Sequence, residues 1–195
     1  SDNNKKNLIE ICDNIDIKFI CIDIANGYIS NFKKFCEEIR KLYPNKILVA
    51  GNVVTKEGVE QIIDIVDIIK IGIGSGSACL TRLQTGIGIP QFSAILECKN
   101  ENTFIISDGG ITSPGDVVKA FGAGSEFVML GGQFAGHDEN PGNVIEENGV
   151  KFKEFYGMSS EHAMKKNYGK MDNYRSSEGN YIKVKYKGKL EDTVI

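Results

Sequence analysis

The amino-acid sequence predicts an α/β fold built from parallel βα units. Five short apolar runs with the composition of buried strands alternate with segments in which apolar residues repeat at helical spacing. Glycine and polar residues gather directly after each run, where the carboxyl ends of parallel strands meet. This pattern is compatible with a (β/α)8 barrel or with an open α/β sheet, and in both folds the functional residues lie at that edge.

Local signals place the elements along the chain. Phe32, Cys36 and Ile39 mark the apolar stripe of a first helix, which Pro44 ends. Thr55 has the character of an N-cap for the next helix, and Pro90 that of the first position of another. The predicted strands are 17–24, 46–50, 68–73, 103–107 and 127–130.

The last helix before the fifth strand has both of its ends marked in the sequence. Ser113 and Pro114 have the residue types of an N-cap and a first helical position, and Gly122 is the expected end. Right-handed crossovers then join the five strands in parallel.

Composition and charge exclude several classes of protein. Apolar residues make up 41% of the 195 residues, and 23 basic against 26 acidic residues leave a net charge of -3, without a basic patch for nucleic acid. The five cysteines are odd in number and contain no Cys-x-x-Cys pair, which argues against disulfides and a zinc site and for a reducing compartment. No apolar run reaches membrane-spanning length. We therefore expect a cytoplasmic protein that binds neither nucleic acid nor membranes.

The alternation of predicted strands and helices ends after residue 136. Asn148 and Gly149 suit the type I′ turn of a hairpin, and Lys183, Lys185 and Lys187 alternate with apolar residues as in a strand with one solvated face. We expect one domain, 1–195, with βα units over 1–136 and an excursion over 137–195 that folds above the site as a lid.

The loop after the third strand carries the strongest chemical signal. Its glycines leave room for a ligand or allow backbone carbonyls to face an ion, and they lead to Cys79, Thr81 and Arg82. Oriented backbone dipoles and an arginine are surroundings that lower the pKa of a thiol. A lone cysteine can equally be a small buried hydrophobic residue.

Two further loops, Gly109–Gly110 and Gly131–Gly132, end consecutive strands with clustered backbone N–H groups. Together with Ser77 and Ser160 they favour a phosphorylated ligand. Asp108 could bind a ribose diol or cap the following helix. His137 and His162 are expected at the surface, and no dinucleotide-binding glycine fingerprint is present.

At these residues a family resemblance becomes evident. Five stretches resemble those of the GMP reductases, close relatives of the IMP dehydrogenases: GIGSGSACLTR, TGIGIPQ, ISDGG, GAGSEFVMLGG and YGMSSEHAMKK. The likeness runs from residue 19 to 193. It implies a (β/α)8 barrel in which Cys79 attacks purine C2 of GMP, ammonia leaves, and NADPH delivers hydride to give IMP. Thr81 and Glu161 would handle protons at the departing amine.

The resemblance also implies the remaining site residues. Substrate contacts would come from Ser77, Asp108, Gly109, Gly110, Gly131, Gly132, Met158, Ser159, Ser160, Arg175, Ser176 and Gly179. NADPH would lie near Asp23, Ala25, Asn26 and Gly27. Backbone carbonyls of Gly74, Gly76 and Cys79 would hold a monovalent cation such as K⁺. A homotetramer is the usual assembly of such barrels.

Two alternative functions stay open. An IMP dehydrogenase would oxidise IMP with NAD, but Glu161, the stretch IANGY and the stretch YRSSEG favour the reductase. Ser75 and Leu80 depart from the reductase pattern, and neither position carries bond chemistry. The second alternative is an inactive nucleotide-binding fragment, because the five strands resemble only the fourth to eighth strands of the barrel. We expect these residues to be part of a longer chain.

Overall fold

A computed structural model of the chain describes residues 2–156 and 181–193. Six helices and eight strands lie within these residues, and a short 3-10 helix, Leu190–Asp192, follows the last strand. The helices are α1 Asp2–Asn14, α2 Phe32–Leu42, α3 Lys56–Glu60, α4 Thr81–Thr85, α5 Gln91–Cys98 and α6 Pro114–Ala123. The strands are β1 Phe19–Asp23, β2 Ile47–Val53, β3 Ile68–Ile71, β4 Phe104–Asp108, β5 Phe127–Met129, β6 Val144–Glu147, β7 Val150–Tyr156 and β8 Tyr181–Lys185.

Strands β1 to β5 form one parallel sheet in the order in which they occur along the chain. Doubly wound sheets reverse their strand order at a switch point, whereas successive strands of a (β/α)8 barrel lie side by side. The sequential order therefore resolves the alternative that the sequence left open. The fold is α/β and is consistent with part of a barrel.

The main core lies between one face of this sheet and the helices. Ile22, Ala50, Ile69 and Ile105 occupy one row across β1 to β4 and are all buried. Helix residues such as Ile39 pack against them, which explains the apolar stripes seen in the sequence.

The opposite face of the sheet, called here the inner face, carries both polar and apolar side chains. Its apolar members include Phe19, Phe104, Phe127 and Met129, which are 41% to 57% exposed. In a closed barrel this is the face that fills the interior.

A three-stranded antiparallel sheet, β6-β7-β8, follows the βα units. Asn148 and Gly149 connect β6 to β7 with positive φ at both residues (51° and 77°), as the predicted type I′ turn requires. The alternation of exposed lysines with half-buried Val184 and Tyr186 is confirmed. The structure describes only part of the excursion, and residues 157–180 lie outside it.

Several details differ from the sequence-based expectations. Helices α1 and α4 were not predicted, and Pro90 is the N-cap residue of α5 rather than its first helical residue. Helix α6 continues past Gly122 to Ala123, and Gly124 is the left-handed C-cap. His137 is not at the surface; it is 2% exposed and contacts the carbonyl of Phe134 and the hydroxyl of Thr193. No helix in the described part of the chain is long and apolar enough to cross a membrane.

Candidate active site

A buried lysine connects three strands of the inner face near their carboxyl ends. The Nζ atom of Lys70, on β3, lies 2.9 Å from Oδ1 of Asp23 on β1 and 2.9 Å from Oδ2 of Asp108 on β4. The Lys70 side chain is 1% exposed, so this ammonium group is removed from solvent and fully paired with carboxylates.

Gly51 on β2 allows the Lys70 side chain to extend from β3 to Asp23 on β1. It lies between Asp23 and Lys70 in the row of paired residues across β1, β2 and β3. A Cβ atom at Gly51 would come within 2.6 Å of Cβ of Lys70. The lysine can pass over β2 because this position has no side chain.

The surroundings of Lys70 determine its ionisation. Burial favours the neutral amine, but the charges of Asp108 and Asp23 and their hydrogen bonds outweigh it, so the pKa of Lys70 is raised. Asn52 completes the group: its Nδ2 donates to Oδ2 of Asp108 at 2.9 Å and to the carbonyl of Gly72 at 2.7 Å. Two donors therefore hold the same oxygen of Asp108.

Cys79 and Thr81 lie together at the end of the glycine loop that follows β3. The thiol of Cys79 donates to Oγ1 of Thr81 at 3.2 Å, and the backbone N–H of Cys79 donates to the carbonyl of Gly76 at 3.0 Å. Thr81 is buried as the first residue of α4, whereas Cys79 is half-buried. The predicted nucleophile thus contacts the residue that the resemblance assigns to proton transfer together with Glu161.

Residues 72–80, called here the cysteine loop, are bonded to the loop after β4. The hydroxyl of Ser75 lies 2.7 Å from Oε1 of Gln91 and 3.0 Å from the backbone oxygen of Asp108. The N–H of Gly110 donates to the carbonyl of Ser75 at 2.8 Å. These contacts hold the loop that carries the thiol beside the Gly109–Gly110 loop.

The glycine pairs differ in how tightly they are enclosed. Gly109 has φ of 91°, and a Cβ there would lie 2.5 Å from Oγ of Ser75. A Cβ at Gly132 would lie 2.9 Å from Oγ of Ser77, so both predicted phosphate-binding loops border the loop that carries Cys79. Gly131 has open space around it.

The loop after β1 borders the same edge of the sheet. The N–H of Gly27 donates to the carbonyl of Asn52 at 2.8 Å, and Oδ1 of Asn26 accepts from the N–H of Tyr28 at 3.0 Å. Ala25 and Asn26 are exposed. The loop is thus anchored to β2 while its tip remains accessible.

Residues 2–195 match the IMP dehydrogenase / GMP reductase domain. The chain belongs to the IMP dehydrogenase / GMP reductase family. It is 54% identical to GMP reductase 1 of Mus musculus and 54% identical to GMP reductase of Buchnera aphidicola, with 92% of the chain and 53% of each relative aligned. GMP reductase of Caenorhabditis elegans is 52% identical, over 91% of the chain and 51% of that protein.

A solved structure of the same family is also similar. It is a cysteine-to-alanine variant of GMP reductase from Trypanosoma brucei in complex with guanosine 5′-monophosphate, with a TM-score of 0.83 and 34% identity. The match covers 90% of this chain and 38% of that one. The chain spans about half the length of the curated family members that it matches.

The helix-capping alternative for Asp108 does not hold in this family member. The cap of α6 is a capping box made by Ser113 and Asp116, and Asp116 accepts hydrogen bonds from the backbone and hydroxyl of Thr112. Asp108 instead faces Lys70 and Asn52. Both contacts involve Oδ2, and the side chain is 23% exposed, so Oδ1 is available to a ligand.

The donors predicted for a monovalent cation are backbone carbonyls, which suit a hard ion. The carbonyl of Gly76 accepts the N–H of Cys79 and retains a second lone pair. No group of three or more His, Cys, Asp or Glu side chains suited to a metal occurs in 2–156 and 181–193. Any cation bound here would thus depend on the loop backbone.

Sequence reasoning missed Lys70, Asn52 and Gln91. The amide of Gln91 bonds the carbonyl of Ile71 and the hydroxyl of Ser107, at 2.7 and 3.1 Å. A signal for Lys70 was available, because a single lysine interrupts the otherwise apolar third strand. The site residues predicted in the segment 157–180 lie outside the described part of the chain: Met158, Ser159, Ser160, Glu161, Arg175, Ser176 and Gly179.

Proposed function

We propose that the protein is a GMP reductase that converts GMP and NADPH to IMP, ammonia and NADP⁺. The observation that carries this proposal is the Cys79 thiol, 3.2 Å from the Thr81 hydroxyl, on a loop bonded to the backbone of Asp108. Identities of 52% to 54% with curated GMP reductases support the same activity.

In the proposed reaction the thiolate of Cys79 adds to purine C2, and the bond from C2 to the exocyclic nitrogen breaks. Thr81 and Glu161 transfer the proton with which that nitrogen leaves as ammonia. NADPH, when bound, supplies the hydride that replaces sulfur at C2. The Cys79–C2 bond then breaks, and IMP is released. The overall reaction converts GMP, NADPH and two protons to IMP, NADP⁺ and ammonium.

Other residues of the chain bind and orient the nucleotide. We propose that Asp108 accepts hydrogen bonds from the ribose hydroxyls and that the Gly109–Gly110 and Gly131–Gly132 loops surround the phosphate. The 23% exposure of Asp108 and the closeness of Ser77 to Gly132 support this arrangement.

The residues present also fit a nicotinamide cofactor and a cation. The side chain of Asp23 is 60% exposed although one of its oxygens is bonded to Lys70, so the other oxygen can accept from a cofactor hydroxyl. We propose that Asp23, Ala25, Asn26 and Gly27 contact NADPH. Carbonyls of the cysteine loop would hold K⁺ and stiffen the segment that presents the thiol.

The proposal is tested with the purified full-length protein, GMP and NADPH. We expect oxidation of NADPH with equal amounts of IMP and ammonia, and no oxidation without GMP. A parallel reaction with NADH in place of NADPH identifies the preferred cofactor. A reaction with IMP and NAD⁺ tests whether the enzyme oxidises IMP instead of reducing GMP. Formation of NADH from IMP would identify a dehydrogenase, and GMP binding without turnover would identify a binding module.

A further inference from the structure

We propose that Lys70 is a positioning residue, which fixes Asp108 for the substrate and ties it to Asp23 on the cofactor side. The inference rests on the proposed function for the identity of the ligands. Its structural basis is that one buried cation is shared between two carboxylates that belong to two different predicted subsites.

Lys70 and Asn52 occupy only one of the two carboxylate oxygens of Asp108. Lys70 and Asn52 both bond Oδ2, at 2.9 Å each. Within the described residues Oδ1 has no hydrogen-bond partner. Because a carboxylate oxygen can accept two hydrogen bonds, Oδ1 is free to accept a pair of hydroxyl groups. The two donors thus set which oxygen faces the ligand.

The side chain of Lys70 is itself held in one position. The Lys70 side chain is 1% exposed and crosses β2 at Gly51. A Cβ atom added at Gly51 would lie 2.6 Å from both the Cβ and the carbonyl oxygen of Lys70. A lysine confined in this way cannot move away from Asp108 as a surface lysine would. Its ammonium group is therefore a fixed point between β1 and β4.

The positive charge of Lys70 lies between the carboxylates of Asp23 and Asp108. Without Lys70, Asp23 and Asp108 would face each other without a counter-ion between them. Like charges at this distance disfavour joint ionisation, so one carboxyl group would take up a proton or turn away. Either change misplaces the acceptor for the substrate hydroxyls, and a displacement of about 1 Å is enough to lose about 10²-fold in activity.

The test compares Lys70→Met, Lys70→Arg and Lys46→Met in the full-length protein. Lys46 is the matched control, because it donates to the carbonyl of Ile17 at the opposite end of the sheet. Melting temperature, the Kd for GMP by calorimetry, and kcat and KM would be measured for each. We expect Lys70→Met to raise the Kd by about 10²-fold, Lys70→Arg to recover most of this loss, and Lys46→Met to change it by less than about two-fold.

A double variant separates positioning from folding. Lys70→Met with Asp23→Asn removes the repulsion between two unpaired carboxylates, so the melting temperature should rise above that of Lys70→Met alone. GMP affinity should recover only in part, because removing the repulsion does not restore the donor that fixes Oδ2 of Asp108. Full recovery of affinity together with stability would assign Lys70 a purely structural role and overturn the proposal.

Failure of the proposed function is distinguishable from failure of this inference. If the wild-type protein binds GMP but does not oxidise NADPH, the comparison of Kd values still decides the role of Lys70. Folded Lys70→Met with a Kd within about two-fold of wild type would overturn the inference even in an active enzyme. A wild-type protein that does not bind GMP would overturn both.

Discussion

Cys79 differs from Cys36 and Cys98 in ways that bear on reactivity. Cys36 and Cys98 are fully buried, and burial raises the pKa of each thiol to about 12, which keeps them protonated. Cys79 is half-buried on a glycine loop and bonded to Thr81. We expect Cys79→Ala to abolish NADPH oxidation while GMP binding, measured by calorimetry, is retained, because the nucleotide contacts come from other loops.

Mass spectrometry checks the same assignment directly. A purine nucleotide that is electrophilic at C2 should form one adduct, on Cys79, and Cys12→Ala should be labelled as wild type is. Labelling at Cys21 or Cys98 instead would contradict the role of Cys79. Full turnover by Cys79→Ala would do so as well.

Glu161 is the proposed proton-transfer partner of Thr81. Replacing it with glutamine keeps the size of the side chain and one acceptor oxygen but removes the titrating group. We expect Glu161→Gln to slow ammonia release by about 10²- to 10⁴-fold, with GMP affinity changed by no more than a few-fold. Rapid-mixing measurements of ammonia release, with Glu146→Gln as control, give the rate. An unchanged rate would leave Glu161 without a chemical role.

Elements whose ends depend on local chemistry could be predicted from the sequence. Thr55 accepts the N–H of Gly58, Ser113 is the N-cap of α6 with Pro114 after it, and Asn148-Gly149 closes the hairpin. Each signal acts within four residues, so one sequence carries it. Helix α4 escaped prediction because it has only five residues between the cysteine loop and Gly86. Helix α1 is largely polar and packs through only a few apolar residues, such as Leu8 and Cys12.

The capping box of α6 gives a prediction about pH. Hydrogen bonds from Thr112 and Ser113 lower the pKa of Asp116 from its ordinary 3.8 to about 2. A lowered folded-state pKa contributes stability that is present above the ordinary value and lost as pH falls through about 2. We therefore expect Asp116→Asn to lower the melting temperature at neutral pH, with the difference from wild type shrinking below pH 4.

Thermal unfolding of both proteins between neutral pH and about pH 2 measures this difference. Asp64→Asn, at an exposed carboxylate in another part of the fold, is the control and should show no comparable trend. A difference between wild type and Asp116→Asn that is constant over the whole range would show that the cap does not depend on the charge of Asp116.

At the scale of the whole molecule, the residue patterns predicted parallel βα units, and the family resemblance favoured a barrel, but neither predicted the Lys70 network. That network depends on the register that aligns Asp23, Gly51 and Lys70 across three strands. Register is a long-range property, and no local pattern in one strand specifies which residue of another lies beside it. The loop residues were easier to predict, because parallel strands bring all their carboxyl ends to one edge.

The inner face of the sheet provides the last prediction. Phe19 and Phe104 are 57% and 56% exposed, and Phe104 makes an edge-on contact with Phe127, which is 47% exposed. Strands β1 and β5 each pair with only one neighbour in the described part of the chain. Exposed apolar faces and unpaired strand edges favour association and weaken cooperative folding.

We therefore expect the 195 residues, expressed by themselves, to bind a hydrophobic dye, to unfold over a broad temperature range and not to oxidise NADPH with GMP. Phe104→Ser together with Phe127→Ser should lower dye binding, since these two rings contribute to the exposed apolar surface. Leu83→Ser, at a residue 83% exposed on α4, is the matched control and should leave most of the dye binding. A sharp, cooperative melt with normal turnover would show that the inner face needs no further covering and that the site is complete within this chain.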